Sequence, residues 1–160
     1  FVEAGGGYVG ICAGAFLAAS NYSWSLGISN HKTFCETIEV PGIGRKSMWF
    51  RGGSAPVTME LTDEGRTILG DFEGVFEVRY QNGPIMSPMG RDGLGSFRSL
   101  AHFRSEVSKY KPQEGTMINT PAVIVGEFGN GRVLCISPHP ESTDALNRLV
   151  QNAVRWAARR

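Results

Sequence analysis

Cys12 stands in a run of small residues, Gly10-Ile11-Cys12-Ala13-Gly14-Ala15, where a short β-branched segment meets an alanine-rich one. If the first is a strand and the second a helix, Cys12 occupies a nucleophile elbow. Such a turn projects the side chain clear of the sheet, and small neighbours such as Gly10 and Gly14 permit close backbone approach. The unpaired N–H groups at the helix start would favour a thiolate, and the Ala13 N–H is a candidate oxyanion donor. The competing reading is a buried structural thiol, a common place for free cysteine.

A second group, His139-Pro140-Glu141, follows another apolar segment near the carboxyl end. A cysteine nucleophile needs a base, and the base needs an orienting partner. His139 can take the thiol proton while Glu141 accepts from the other ring nitrogen. In open α/β sheets, sites form at the carboxyl ends of strands, and both groups fall at such ends. Alone, His-Pro-Glu is an ordinary loop; with the elbow, a catalytic pairing is the favoured reading.

The elements that must position these residues can be read in part. Phe1 to Ala4 resembles a last helical turn closed by Gly5-Gly6-Gly7. Tyr8 to Ile11 reads as a buried strand, Ala13 to Ala19 as a helix, and Ser20 to Ser29 as a loop. Glu36 to Val40 and Val57 to Leu61 read as strands, with turns at Pro41-Gly42 and Arg51-Gly52-Gly53-Ser54. Thr62-Asp63-Glu64 should cap a helix through Leu69. Gly74 to Tyr80 alternates as a strand does, followed by a turn at Gln81-Asn82-Gly83-Pro84. Met86 to Ser96 is loop-like, and Phe97 to Phe103 is another strand. Ala122 to Phe128 and Arg132 to Ser137 flank Gly129-Asn130-Gly131, a hairpin signal. Leu146, Leu149, Val150, Ala153, Val154 and Ala157 recur at helical spacing, so Asp144 to Arg159 is an amphipathic helix. Strands mixed with helices indicate an α/β fold.

Composition narrows the function classes. Of 160 residues 41% are apolar and 19% charged, too apolar for a disordered chain, and no apolar run is long enough to cross a bilayer. Sixteen basic and fifteen acidic side chains give a net charge of +1 without a basic patch, which argues against nucleic acid or a membrane surface as partner. Three cysteines are too few and too scattered for a disulfide framework. No phosphate-binding loop appears. Gly5-x-Gly7-x-x-Gly10 matches a dinucleotide fingerprint but precedes its strand instead of following it. His31-x-x-x-Cys35 and Cys135-x-x-x-His139 lack zinc-site spacing, so neither a metal nor a cofactor is expected. His102 reads as a surface or core histidine, and Trp24, Trp49 and Trp156 as packing residues.

The run Gly5 to Phe16 resembles the class I glutamine amidotransferase-like superfamily, most closely its biotin-protein ligase amino-terminal-like branch, whose elbow reads Gly-x-Cys-Ala-Gly-Ala followed by an aromatic residue. Gly131-Arg132-Val133-Leu134 through Pro138-His139-Pro140-Glu141 looks like the superfamily's hairpin and His-x-Glu segment, and Tyr80-Gln81-Asn82-Gly83-Pro84 shares the likeness less specifically. The resemblance implies a flavodoxin-like, mostly parallel sheet flanked by helices, with an antiparallel hairpin near the carboxyl terminus. It also implies a Cys12–His139–Glu141 triad. Gly10, Phe16, Arg51, Tyr80 and Asn82 are candidates to line the pocket; Arg51 would suit a carboxylate and Asn82 an amide, against the reading of both as ordinary turns.

Two departures shape the expectation. Phe16 stands where glutamine-hydrolysing members carry a polar residue, which argues against glutamine as substrate. The superfamily fold begins with strands and helices ahead of the elbow strand, and one of their loops supplies the second oxyanion donor. Residues 1–160 are therefore expected to form one domain without its first strands and helices. The favoured function is cysteine-dependent amidase or acyl-transfer chemistry on a small amide or acyl substrate, with a second copy of the chain as a candidate partner and the cytoplasm as the expected compartment. A binding or regulatory module on the same scaffold, and a reactive-cysteine redox or stress protein, remain as alternatives.

Overall fold

The computed structural model describes residues 1–48, 53–107 and 115–159. Strand β1 (Gly7–Ile11) turns at Cys12 into helix α1 (Ala13–Ala18). Three short strands follow, β2 (His31–Thr33), β3 (Glu36–Val40) and β4 (Gly44–Met48), then β5 (Ser54–Leu61), helix α2 (Asp63–Leu69), β6 (Val75–Gln81) and β7 (Met86–Pro88). Strands β8 (Arg98–Phe103), β9 (Pro121–Phe128) and β10 (Gly131–Ile136) lead to the closing helix α3 (Asn147–Ala157). The main sheet runs β1-β10-β9-β8-β5-β6, while β2 pairs with β7 and β3 with β4 as separate ribbons.

The α/β reading holds, but the sheet is not mostly parallel. Only β1 and β10 pair in parallel, from Gly7↔Arg132 to Ile11↔Ile136. The remaining pairs of the main sheet are antiparallel. The reason lies in the connections. β9 and β10 are joined by a two-residue hairpin, whose Gly129 has φ 60, and so short a link can only reverse the chain. β1 and β10, separated by most of the chain, are under no such constraint and pair in parallel.

β9 and β10 form the buried centre, and their alternate residues serve opposite faces. Val123, Val125, Leu134 and Ile136 join Leu69, Leu149 and Ala153 in a core under α2 and α3. Ile124, Val133 and Cys135 join Ala15, Ala18, Ile28 and Met86 in a second core under α1. This division explains why both strands read as continuous apolar runs: each face is covered.

Several boundaries differ from expectation for local reasons. Phe1 to Ala4 makes a turn, closed by Gly5 N–H to Val2 O and Gly6 N–H to Phe1 O, and not a helical end. β2, and β7 inside the expected Met86–Ser96 loop, hold three residues each, too few to display a period. Helix α3 starts at Asn147, because Asp144–Leu146 first form a 3-10 turn. The expected turn at Arg51-Gly52 lies outside the described residues.

The expected cap on α2 is present. Thr62 Oγ1 accepts from Gly65 N–H at 3.0 Å and donates to Ser99 O at 3.1 Å, tying the helix start to β8. Thr62→Ala therefore lowers unfolding free energy by about 1 kcal/mol, while Thr62→Ser stays near wild type; urea titration of the two variants checks both.

Candidate active site

The elbow is built by backbone forces. Cys12 N–H donates to Ile136 O at 2.8 Å, carrying the β1–β10 ladder one residue past β1. The chain then turns sharply, with Cys12 at φ 49, ψ −101. A non-glycine residue held there costs on the order of 1–3 kcal/mol and persists only where its surroundings enforce it. The enforcement is visible. Ala15 N–H and Phe16 N–H return to Cys12 O at 3.0 and 3.2 Å. A Cβ on Gly10 would lie 2.6 Å from the Gly14 carbonyl carbon and oxygen, so this crossing of strand and helix requires glycine.

Two side chains brace α1 from outside. Tyr8 OH donates to Gly14 O at 2.8 Å. The fully buried His31 reaches Ala15 O through Nε2 at 3.2 Å and Ser29 Oγ through Nδ1 at 2.9 Å. A carbonyl only accepts, so Nε2 carries the proton and Nδ1 accepts from the serine hydroxyl. Burial pushes the pKa of His31 down to about 4.

The half-buried Cys12 thiol donates to Gln81 O, 3.5 Å away at the end of β6. Its pKa is raised. Burial is the main cause, the nearby Glu141 carboxylate adds to it, and the Ala13 N–H hydrogen bond opposes both. The expected help from the helix start is thus real but outweighed, and the resting group is the neutral thiol.

The segment after β10 carries the second group. His139 Nδ1–H donates to Glu141 Oε1 at 2.6 Å, with the two side chains 21% and 40% exposed. His139 N–H donates to Arg79 O at 2.7 Å. Pro140 opens a 3-10 turn over Pro140–Ser142 that brings Glu141 back towards the histidine. β6 thus offers one backbone carbonyl to the cysteine and another to the histidine segment. Although β1 and β6 stand at opposite ends of the strand order, the sheet curls until their carboxyl ends meet.

The other sequence candidates fall elsewhere. Gly10 is buried beneath the turn, and Phe16 is half-buried on α1. Tyr80 lies in the core, edge-on to Phe103 with its hydroxyl donating to Gly83 O at 2.7 Å, so it lines no open pocket. Asn82 (φ 56) spends its Oδ1 on Gly53 N–H at 3.0 Å, which makes it a turn residue. Arg51 lies outside the described residues. Cys135 is buried with its pKa pushed up to about 12, while Cys35 is exposed. Among the described residues no three His, Cys, Asp or Glu side chains gather as metal ligands would. Sequence reasoning placed Gln81 only in a turn that could line a pocket and overlooked Arg79; the role of both comes from backbone carbonyls and leaves no mark in residue type. Neither main cleft, of about 810 Å³ around Gly7, Arg132 and Ala157 or about 420 Å³ around Lys32, Cys35 and Met86, includes Cys12 among its lining residues.

A mixed sheet with helices on both faces, and a strained cysteine at a strand–helix turn, are compatible with a glutamine amidotransferase-like fold, which comparison with known proteins supports. The biotin-protein ligase N-terminal family matches residues 1–157, and the chain belongs to it. No curated protein matches the chain in sequence. Among solved structures, a putative ThuA-like protein from Parabacteroides merdae is similar at TM-score 0.58 and 15% identity, covering 98% of this chain and 62% of that one. A β-galactosidase from Bacillus circulans is similar at TM-score 0.57 and 15% identity, covering 98% and 19%. A cytoplasmic protein from Salmonella typhimurium follows at TM-score 0.55 and 15% identity, covering 99% and 58%. The chain thus spans about a fifth of the β-galactosidase and about three fifths of the other two. No helix among the described residues is long and apolar enough to cross a membrane.

His31 gives the brace on α1 a pH signature. Its pKa is about 4 in the folded chain against an ordinary 6.5. Its contribution is therefore complete above pH 6.5 and lost as pH falls towards 4, by about 3 kcal/mol in total. His102, lowered in the same direction by partial burial and by Arg104, adds to the slope. Urea titrations over that window should show a flatter pH dependence for His31→Gln than for wild type.

Proposed function

We propose that the chain catalyses cysteine-dependent acyl transfer or amide hydrolysis, with Cys12 as nucleophile, His139 as base and then acid, and Glu141 as the residue that orients His139. The observation that carries this reading is the strained Cys12 backbone together with a His139–Glu141 pair whose carboxylate acts electrostatically on the Cys12 thiol. With Nδ1–H committed to Glu141, His139 Nε2 has a free lone pair. It accepts the proton from Cys12 Sγ as sulfur attacks the carbonyl carbon, so the thiol is activated only during attack. The Ala13 N–H is one donor to the developing oxyanion. Collapse breaks the bond to the leaving amine, which takes the proton from Nε2. Water or an acceptor amine then attacks the thioester, gives a proton to Nε2, and the acid or amide departs as that proton returns to sulfur. The substrate is a small amide or acyl compound. Phe16 supplies an apolar surface where a glutamine pocket would need a polar group.

One observation favours a second reading. The raised thiol bonded to Gln81 O suits a structural cysteine on a binding or regulatory scaffold, and the fold is also found as a small fraction of much larger chains.

The two readings separate in alkylation by iodoacetamide, followed by peptide mass analysis with Cys35 as internal reference. If His139 serves as base, His139→Ala slows Cys12 alkylation at pH 7 by about tenfold or more, and Glu141→Gln has a smaller effect in the same direction. In His139→Ala the remaining reaction shifts to higher pH than for an ordinary thiol, in the direction of the raised pKa. If Cys12 is structural, wild type and His139→Ala share that alkaline profile at equal rates.

A further inference from the structure

The end of β6 carries a cation with no obvious structural use. Arg79 is exposed on the same face of the strand as Glu77 and Gln81, opposite the buried Val78 and Tyr80. Three arginines near the sheet find carboxylates, Arg66 with Asp63, Arg98 with Glu64 at 2.9 Å and Arg104 with Glu60 at 2.7 Å, and Arg132 on β10 lies over the Trp156 ring and donates to Trp156 O at 3.1 Å. Arg79 has no carboxylate partner among the described residues. Its Nη2 donates instead to Gln81 Oε1 at 2.7 Å. The guanidinium thus leans forward to a neutral amide and away from the carboxylate of Glu77, two residues back. Across the ladder it faces Pro56, which offers no side-chain acceptor.

The direction of that lean matters. Gln81 O holds the Cys12 thiol and Arg79 O holds His139 N–H, so Arg79 belongs to the strand end that joins both groups. Glu141, whose charge acts on the thiol, is already engaged with His139 Nδ1. A planar guanidinium with one N–H fixed by Gln81 and the others unclaimed is prepared for bidentate capture of a carboxylate.

We propose that Arg79, oriented by Gln81, determines specificity at the Cys12 site by binding a carboxylate carried by the substrate. The substrate is then an acidic amide or acyl compound. This assignment rests on Cys12 as the nucleophile proposed above.

A pair of alkylating reagents that differ only in charge tests it: N-iodoacetylglycine and its uncharged amide, at low salt, with modification read separately at Cys12 and Cys35. In wild type the charged reagent gains on its amide at Cys12 relative to the same ratio at Cys35. Arg79→Gln removes that gain, lowering the charged-to-uncharged ratio at Cys12 by about tenfold. The ratio is taken within each protein, so a change in the uncharged-reagent rate at Cys12 does not enter it. No gain in wild type, or a ratio unmoved by Arg79→Gln, overturns the assignment. Failure of the nucleophile reading shows itself elsewhere, as an uncharged-reagent rate at Cys12 insensitive to His139→Ala.

Discussion

The site depends on one parallel pairing, the five-residue ladder between β1 and β10. Two parallel strands in register finish on the same side of the sheet, so whatever follows each strand emerges at a common end. Here Cys12 follows one and the Ser137–Glu141 segment follows the other. A slip of one residue would turn the alternating residues of β10 inside out, sending Val133 and Cys135 towards α3 and Leu134 and Ile136 towards α1. The two apolar cores therefore fix the register, and the register fixes where the chemistry-bearing side chains appear.

The second requirement is curvature. The successive antiparallel pairings from β10 to β6 bring the far strand round until its last carbonyls reach the site. Gln81 O meets the Cys12 thiol and Arg79 O meets the backbone of His139. The strain at Cys12 is held by the hydrogen bonds of the turn itself, and by Tyr8 and His31, which grip α1 from β1 and β2. Each such bond contributes about 1 kcal/mol net, so together they can offset the strained turn. A cysteine kept in a rare conformation by several converging contacts is what a reactive group needs, since its position must survive thermal motion on approach of a substrate.

What could be read from the sequence was local. Gly10 and Gly14 around Cys12 announced the elbow because close backbone approach needs residues without bulk. Gly129-Asn130-Gly131 announced the hairpin by residue type, with Gly129 taking the positive φ such a turn needs, and Thr62 with the acidic residues after it announced the start of α2. Strand direction was less legible, because it depends on connection length and on partners distant in the chain. β2 and β7 escaped notice because three residues define no period. The thiol's environment was hidden for a related reason: burial, together with the charge of Glu141, a residue remote in sequence, outweighs the adjacent Ala13 N–H. Tyr80 and Asn82 illustrate the opposite error. Their polar groups suggested a pocket, but the fold consumes them in tying Gly83 and Gly53 into turns.

The proposed reaction, in which the thiol stays neutral until His139 removes its proton, follows the logic of a serine nucleophile more than that of a preformed thiolate. The most direct measurement of that claim is acylation of Cys12 by p-nitrophenyl acetate at pH 7, quenched in acid and located by peptide mass. The account predicts an acetyl thioester on Cys12 that forms and turns over in wild type and is strongly suppressed in His139→Ala. Absence of acetyl at Cys12, or equal acetylation in wild type and His139→Ala, would contradict it.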